Sequence, residues 1–293
     1  MKFPSLSNNK IKELLKTDID ALKSLHKTLG HPKRGDWLAD HEESGQTFQE
    51  YLNSKLVLPR GKQRILYIQP LGEFSNTQRR IITLTAKFIE VFFNLPIKIE
   101  EDISLANIPS YAQRIHPSWG DHQILTTYIL RRILRPRIPN DAAAYIAFTT
   151  NDLWPGKGWN FVFGQASLVN RVGVFSIYRN GNPNLTENDF HSCLLRTIKT
   201  GVHEIGHIFS MGHCILYECL MNGANSQEES DRKPLTCCPE CMAKICWATK
   251  TNPIVRFERL IKFCTDNNLD NELSSYKKFV STLKASKRNY SIK

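Results

Sequence analysis

The chain has 293 residues, 41% of them hydrophobic, and a formal net charge of +11. That is enough for one large domain, or a domain with an appendage, around a real core. No apolar run approaches the roughly 18 to 20 residues of a membrane span, and residues 1–10 lack a signal-peptide core. The expectation is therefore an intracellular protein, cytoplasmic or nuclear. Its eight cysteines then read as reduced thiols or metal ligands rather than disulfides. Much of the basic excess sits at residues 131–137 and beyond 250. With no aromatic-basic motif beside it, this reads as a solvated surface rather than a nucleic-acid site.

Taken in order, residues 9–29 show helical apolar spacing (Ile11, Leu14, Leu15, Ile19, Leu22, Leu25), ended by Gly30-His31-Pro32. Residues 37–59 are mixed and polar, with a short helix expected near 48–52. His26, His31 and His41 share no spacing and read as surface residues. A strand is expected at 64–69, closed by Pro70-Leu71-Gly72, then an amphipathic helix at 78–93 and a strand at 95–99. A loop runs to Gly120, followed by a helix at 122–134 that stops before Pro136, and a buried strand at 142–149. Strand alternating with helix predicts α/β packing on a partly parallel sheet. Residues 151–156 read as a loop, and 160–166 and 172–178 as two strands. Thr186-Glu187-Asn188-Asp189 has the form of a capping box that opens a long helix.

That helix carries the chemistry. His203, Glu204, His207 and His213 form an H-E-x-x-H-x-x-x-x-x-H array. Residues four apart share a helix face, so His203 and His207 can hold one metal ion. Glu204 lies about 100° round from His203, beside the ion, where a general base belongs. The apolar residues Leu195, Ile198, Val202, Ile205 and Phe209 lie on roughly the opposite face. On a continuous helix His213 would point about 240° away from His207 and lie about 9 Å further along. The chain must therefore turn within Ser210-Met211-Gly212. A second set, Cys214, Cys219, Cys238 and Cys241, follows as C-x4-C…C-x2-C. Four thiolates saturate tetrahedral zinc, so this site would be structural. Cys237 offers a less fitting C-x3-C pairing. Cys193, Cys246 and Cys264 have no partner spacing and read as core thiols.

The H-E-x-x-H array, its third histidine, His213-Cys214, Cys219-Leu220-Met221 and Cys238-Pro239-Glu240-Cys241 together resemble the archaemetzincin branch of the metzincin metallopeptidases. So does the run from Trp159 to Ser167. The resemblance implies a metzincin-like α/β (α+β) fold: a twisted mixed sheet packed on helices, a long active-site helix, and a small C-terminal zinc-knuckle subdomain from about residue 210. Residues 1–60 would be an N-terminal helical extension and 61–293 the peptidase domain. It implies two zinc ions, one catalytic on His203, His207 and His213 and one structural on the four cysteines. Glu204 would be general base and acid in hydrolysis of a peptide or protein substrate. Met221 would lie in the turn that floors the histidine site. Residues 160–167 would lie in or next to the antiparallel edge strand over the cleft. The family's turn usually has Gly where this chain has Ser210. Either Ser210 is left-handed in the family register, or the turn has slipped to Gly212. The alternative function is a zinc-stabilised interaction module with little hydrolase activity that binds an anionic partner.

Overall fold

The computed structural model describes residues 6–290, with side chains through Ser286. Residues 1–5, part of the stretch read as lacking a signal-peptide core, and residues 291–293 lie outside them. Helix α1 (Asn8–Leu22) starts where the Ser7 hydroxyl accepts the Lys10 N–H, and it buries Ile11, Leu15, Ile19 and Leu22. It is shorter than its apolar periodicity suggests. After a tight turn at Lys23–Leu25, His26 is extended, and the Leu29 N–H bonds the Leu216 carbonyl. Two short helices follow, α2 (Trp37–Asp40) and α3 (Phe48–Asn53), the latter opened by a Thr47/Glu50 capping box.

Strand β1 (Ile65–Leu71) runs through Pro70 rather than stopping there, because the Pro70 carbonyl still accepts the Ile103 N–H. Helix α4 (Asn76–Phe93) starts two residues early, with Ser75 and Gln78 bonding each other's backbone N–H. Then come β2 (Ile97–Ile99), β3 (Gln113–Ile115) and β4 (His122–Leu125). The last two correct the sequence reading, which had a loop and the first turn of a helix there. Strand β4 pairs antiparallel with β3 and parallel with β6 (Asp152–Trp154), which stands in the expected 151–156 loop. Sheet pairing overrides helical periodicity at these residues. The helix begins only with α5 (Thr126–Tyr128), widens into a π-turn at Ile129–Leu134 and tightens over Arg135–Arg137, past Pro136.

Strands β5 (Ala142–Thr149), β7 (Gly164–Ala166) and β8 (Val172–Ser176) complete a sheet of order β2-β1-β5-β8-β7. Four strands are parallel, and β7 is an antiparallel edge. The strand expected over 160–166 shortens to β7, because Val162 bridges instead to Leu153 of the smaller sheet. The long helix α6 (Glu187–Ile208) follows, then α7 (Gln227–Asp231), α8 (Pro239–Thr249), α9 (Pro253–Asp266) and α10 (Asp270–Tyr290). Neither α7 nor α8 was expected from the sequence. No helix among the described residues is long and apolar enough to cross a membrane.

The chain forms two compact units. One, Val57–Glu90 with Leu95–Ser210, holds both sheets and α6. Its core includes Tyr67, Leu71, Ile124, Leu134, Tyr145 and Val174. The other joins residues up to Leu56 and Val91–Asn94 to Met211–Lys293. In it α1 packs on α8 and α10, α9 on α10, and α3 on α8.

Candidate metal centres

Helix α6 starts at Thr186, whose hydroxyl accepts the Asp189 N–H and donates to the Asp189 carboxylate, so the expected capping box is met on its hydroxyl side only. The helix lies on β8 and β7. Close approach is possible because Gly201 meets the Phe175 ring, where a Cβ would lie 3.1 Å away. Ile198, Val202, Ile205 and Phe209 are buried as expected, while Leu194 rather than Leu195 is fully covered.

On the helix, His203 Nε2 and His207 Nε2 are 2.9 Å apart, with the rings at 84°. Two ligand nitrogens on tetrahedral zinc would be about 3.3 Å apart, so these imidazoles fit one ion. Glu204 is 6% exposed, and burial pushes its carboxyl up to about 8. The backbone of β7 covers it at Gly164, where a Cβ would fall 2.7 Å from both Glu204 Cγ and Oε1. Any larger residue here would require the Glu204 side chain to shift. The sequence had not marked Gly164; a glycine opening a strand was the available signal.

The helix ends as the histidine spacing demands. Phe209 N–H bonds the Ile205 carbonyl and Ser210 N–H the His207 carbonyl, and Ser210 has φ 65°. Gly212 is not in the left-handed region. The turn therefore keeps the family register. The Ser210 hydroxyl accepts the Val57 N–H at 2.9 Å, a bond glycine could not make. Beyond the turn, the Gly212 N–H donates to Gln46 Oε1 at 3.0 Å, and His213 Nδ1 lies 2.7 Å from Glu43 Oε1. Glu43 was not marked by the sequence reading, because 170 residues separate it from its partner. Among the described residues, two groups of side chains offer ligand atoms that lie within 4.8 Å of one another. One is His203, His207 and His213, and the other is Cys214, Cys219, Cys238 and Cys241.

The thiol group is built from turns. The Cys214 N–H bonds the Met221 carbonyl, and Cys219 Sγ accepts the N–H of Met221 (3.4 Å) and of Cys238 (3.3 Å). Asn222 ties the turn together, accepting from Cys219 N–H and donating to the Cys214 and Tyr217 carbonyls. Cys238 caps α8, with Pro239 in its first turn. The helix N-terminus thus faces Cys238 and Cys241, a placement that favours thiolates. Cys214 and Cys238 Sγ are 3.6 Å apart, close to the roughly 3.8 Å edge of a tetrahedral zinc–sulfur site. The four thiols are all buried. Hydrogen bonds from Cys219, Cys238 and Cys241 hold the Cys214 thiol well below its ordinary value. Cys238 and Cys241 are pushed up by their bonds to Cys214, and Cys219 by burial.

Cys237 is buried and outside the group, so Cys238 and Cys241 form the C-x2-C pair. Cys193, Cys246 and Cys264 are buried thiols; burial pushes Cys193 up to about 11 and Cys264 up to about 12. Met221 is buried in the turn with Cys219. His26, His31 and His41 belong to neither group. Of the three only His31 is a surface residue. His26 is half-buried against Phe279 with ring centroids 4.8 Å apart, and His41 packs on Trp37.

These groups define a class, the zinc metallopeptidases, and comparison with known proteins agrees. The model of peptidase family M54 matches residues 143–246. Archaemetzincin-2 of Rattus norvegicus is 35% identical over 266 residues, covering 80% of this chain and 74% of that protein. The archaemetzincin of Archaeoglobus fulgidus is 32% identical over 182 residues, covering 61% of this chain and 98% of that one. The crystal structure of the Methanopyrus kandleri archaemetzincin shares the fold, with a TM-score of 0.50 at 24% identity over 69% of this chain and 98% of that one. The chain belongs to the archaemetzincin family.

Proposed function

We propose that this chain hydrolyses peptide bonds with a zinc ion held by His203, His207 and His213, and that a second zinc on Cys214, Cys219, Cys238 and Cys241 is structural. The observation that carries the reading is on α6. Two Nε2 atoms converge to 2.9 Å, and the next residue along is a buried carboxylate. When bound, zinc polarises the scissile carbonyl and acidifies the attacking water.

Glu204 takes the proton of that water and returns it to the leaving amine. A buried carboxyl lifted toward neutral pH by desolvation suits both transfers. The free edge of β7 binds an extended peptide as an added strand, and Gly164 on that strand brings it past Glu204. His213, three residues beyond the left-handed Ser210 and within about 11 Å of it along the chain, would supply the third imidazole to the same ion. Met221 would floor the histidine site from the turn it shares with Cys219.

The test is digestion of a peptide library by zinc-loaded protein and by Glu204→Gln. Hydrolysis should fall about 10²- to 10⁴-fold in the variant with zinc content unchanged. Equal activity would remove the mechanism, and loss of zinc would make Glu204 a ligand instead of a base.

A further inference from the structure

We propose that Glu43, in the segment before α3, is a positioning residue for the histidine site: it fixes His213 as the Nδ1–H tautomer and so puts the ring's lone pair on Nε2, the atom that would bind the metal. The inference rests on the zinc reading above.

The geometry is specific. Glu43 Oε1 is 2.7 Å from His213 Nδ1, with side chains 24% and 16% exposed. A carboxylate only accepts hydrogen bonds, so the ring proton must sit on Nδ1. The lone pair is then on Nε2, the atom that points away from Glu43. Metal-bound imidazoles commonly hand their other N–H to a carboxylate, which sets both the tautomer and the ring plane.

The segment that carries Glu43 is itself held against the residues around His213. Gln46 Oε1 takes the Gly212 N–H, and the Lys244 ammonium donates to the Gln46 carbonyl. The Trp37 ring meets His213 edge-on, with centroids 5.2 Å apart at 82°. Trp37 rests on Gly223 so closely that a Cβ there would lie 2.6 Å from the indole. Its backbone N–H donates to the Glu229 carboxylate at 2.9 Å. Gly45 is left-handed, at φ +69°, and packs on Ile215. Trp37, four residues before His41-Glu42-Glu43, and Gln46, three residues after it, thus bracket His213 and its neighbour Gly212. Trp37 touches the imidazole itself and Gln46 holds the backbone beside it, so both support the orientation that the Glu43 bond sets. Residues 37–46 therefore hold and orient a side chain some 170 positions later in the chain.

Three variants test this: Glu43→Ala, Glu43→Gln and Glu43→Asp. Zinc is titrated against a chromophoric chelator in protein whose thiol site is already filled, and the His213 tautomer is read by ¹⁵N NMR of protein without zinc at the histidines. Glu43→Ala should weaken histidine-site zinc binding about 10- to 100-fold and move the ring away from the pure Nδ1–H tautomer. Glu43→Gln keeps an acceptor for Nδ1–H, so it should keep the tautomer and lose less affinity. Glu43→Asp should restore part of both. Thiol-site zinc should be unchanged throughout, which separates positioning from general unfolding. If wild type takes zinc at the histidines and Glu43→Ala binds it equally tightly with the same tautomer, the inference is wrong. If wild type takes zinc only at the thiols, the functional reading beneath it fails instead.

Discussion

The two candidate metal groups are built from opposite materials. His203 and His207 stand on one regular helix, and their convergence follows from its pitch. The four thiols stand on turns and on the first turn of α8, and the backbone N–H groups of Met221 and Cys238 are directed onto a single sulfur, Cys219 Sγ. The histidines are half-buried, and the thiols are wholly buried. A site that must admit water and substrate needs an open position, and a site that only holds chain together needs none. The contrast teaches that an exchangeable ion can rest on ready-made secondary structure. On the proposed reading, zinc on the thiols would supply order that their own segment lacks, since one short helix, α7, lies between Cys214 and Cys238.

The largest expected effect breaks this contrast at the thiols. Structural zinc sites contribute on the order of 10 kcal/mol of folding free energy in small domains. Cys241→Ser should therefore abolish the cooperative melt of the unit that contains α8, and should cost the histidine-site zinc as well. His207→Ala should lose only one zinc and leave the melt nearly unchanged. Zinc analysis and calorimetry of the two variants check this; equal effects would mean that the groups are not different in kind.

A smaller effect sharpens the open side. Gly164→Ala forces a methyl to within 2.7 Å of Glu204. Overpacking of this sort costs about 1 to 3 kcal/mol. Peptide hydrolysis should fall further than stability, with zinc retained, when melts and rates are compared. An alanine variant with wild-type rates would show that β7 does not bear on the carboxylate.

The smallest effect concerns the turn. Left-handed backbone at a non-glycine residue costs roughly 1 to 2 kcal/mol, and the hydroxyl bond to Val57 N–H returns about 1 kcal/mol. Ser210→Gly relieves the first and loses the second, so denaturant unfolding should find it within about 1 kcal/mol of wild type. Ser210→Ala keeps the strain and loses the bond, so it should be about 1 kcal/mol less stable. The reverse order would contradict this account of why serine stands at that position.

Much of the site was legible in the sequence for a physical reason. Helical pitch converts the spacing of His203, Glu204 and His207 directly into geometry, and the Cys238-to-Cys241 spacing does the same at the start of α8. The bend at Ser210 was legible as a necessity, but its register was open between Ser210 and Gly212. Where partners are remote, spacing carries no signal. Glu43 reaches His213, Gly164 covers Glu204, and Asn222 ties a turn whose shape no local pattern specifies. The fold shows the same division. The strand–helix alternation around β1, α4 and β5 was plain, whereas β3, β4 and β6 exist only because they pair with one another. Residues 122–125 have apolar spacing that suits a helix, yet they were recruited into that small sheet.

The central claim is that one zinc is open and exchangeable while the other is closed and structural. It is tested most directly by stepwise chelation of fully zinc-loaded protein, following bound zinc, peptide hydrolysis and near-UV circular dichroism together. The account predicts two zinc ions per chain. The first should leave with all hydrolytic activity and with the fold intact; the second should leave only under stronger chelation, together with loss of tertiary signal. A single zinc per chain, or two that depart together as the protein unfolds, would contradict it.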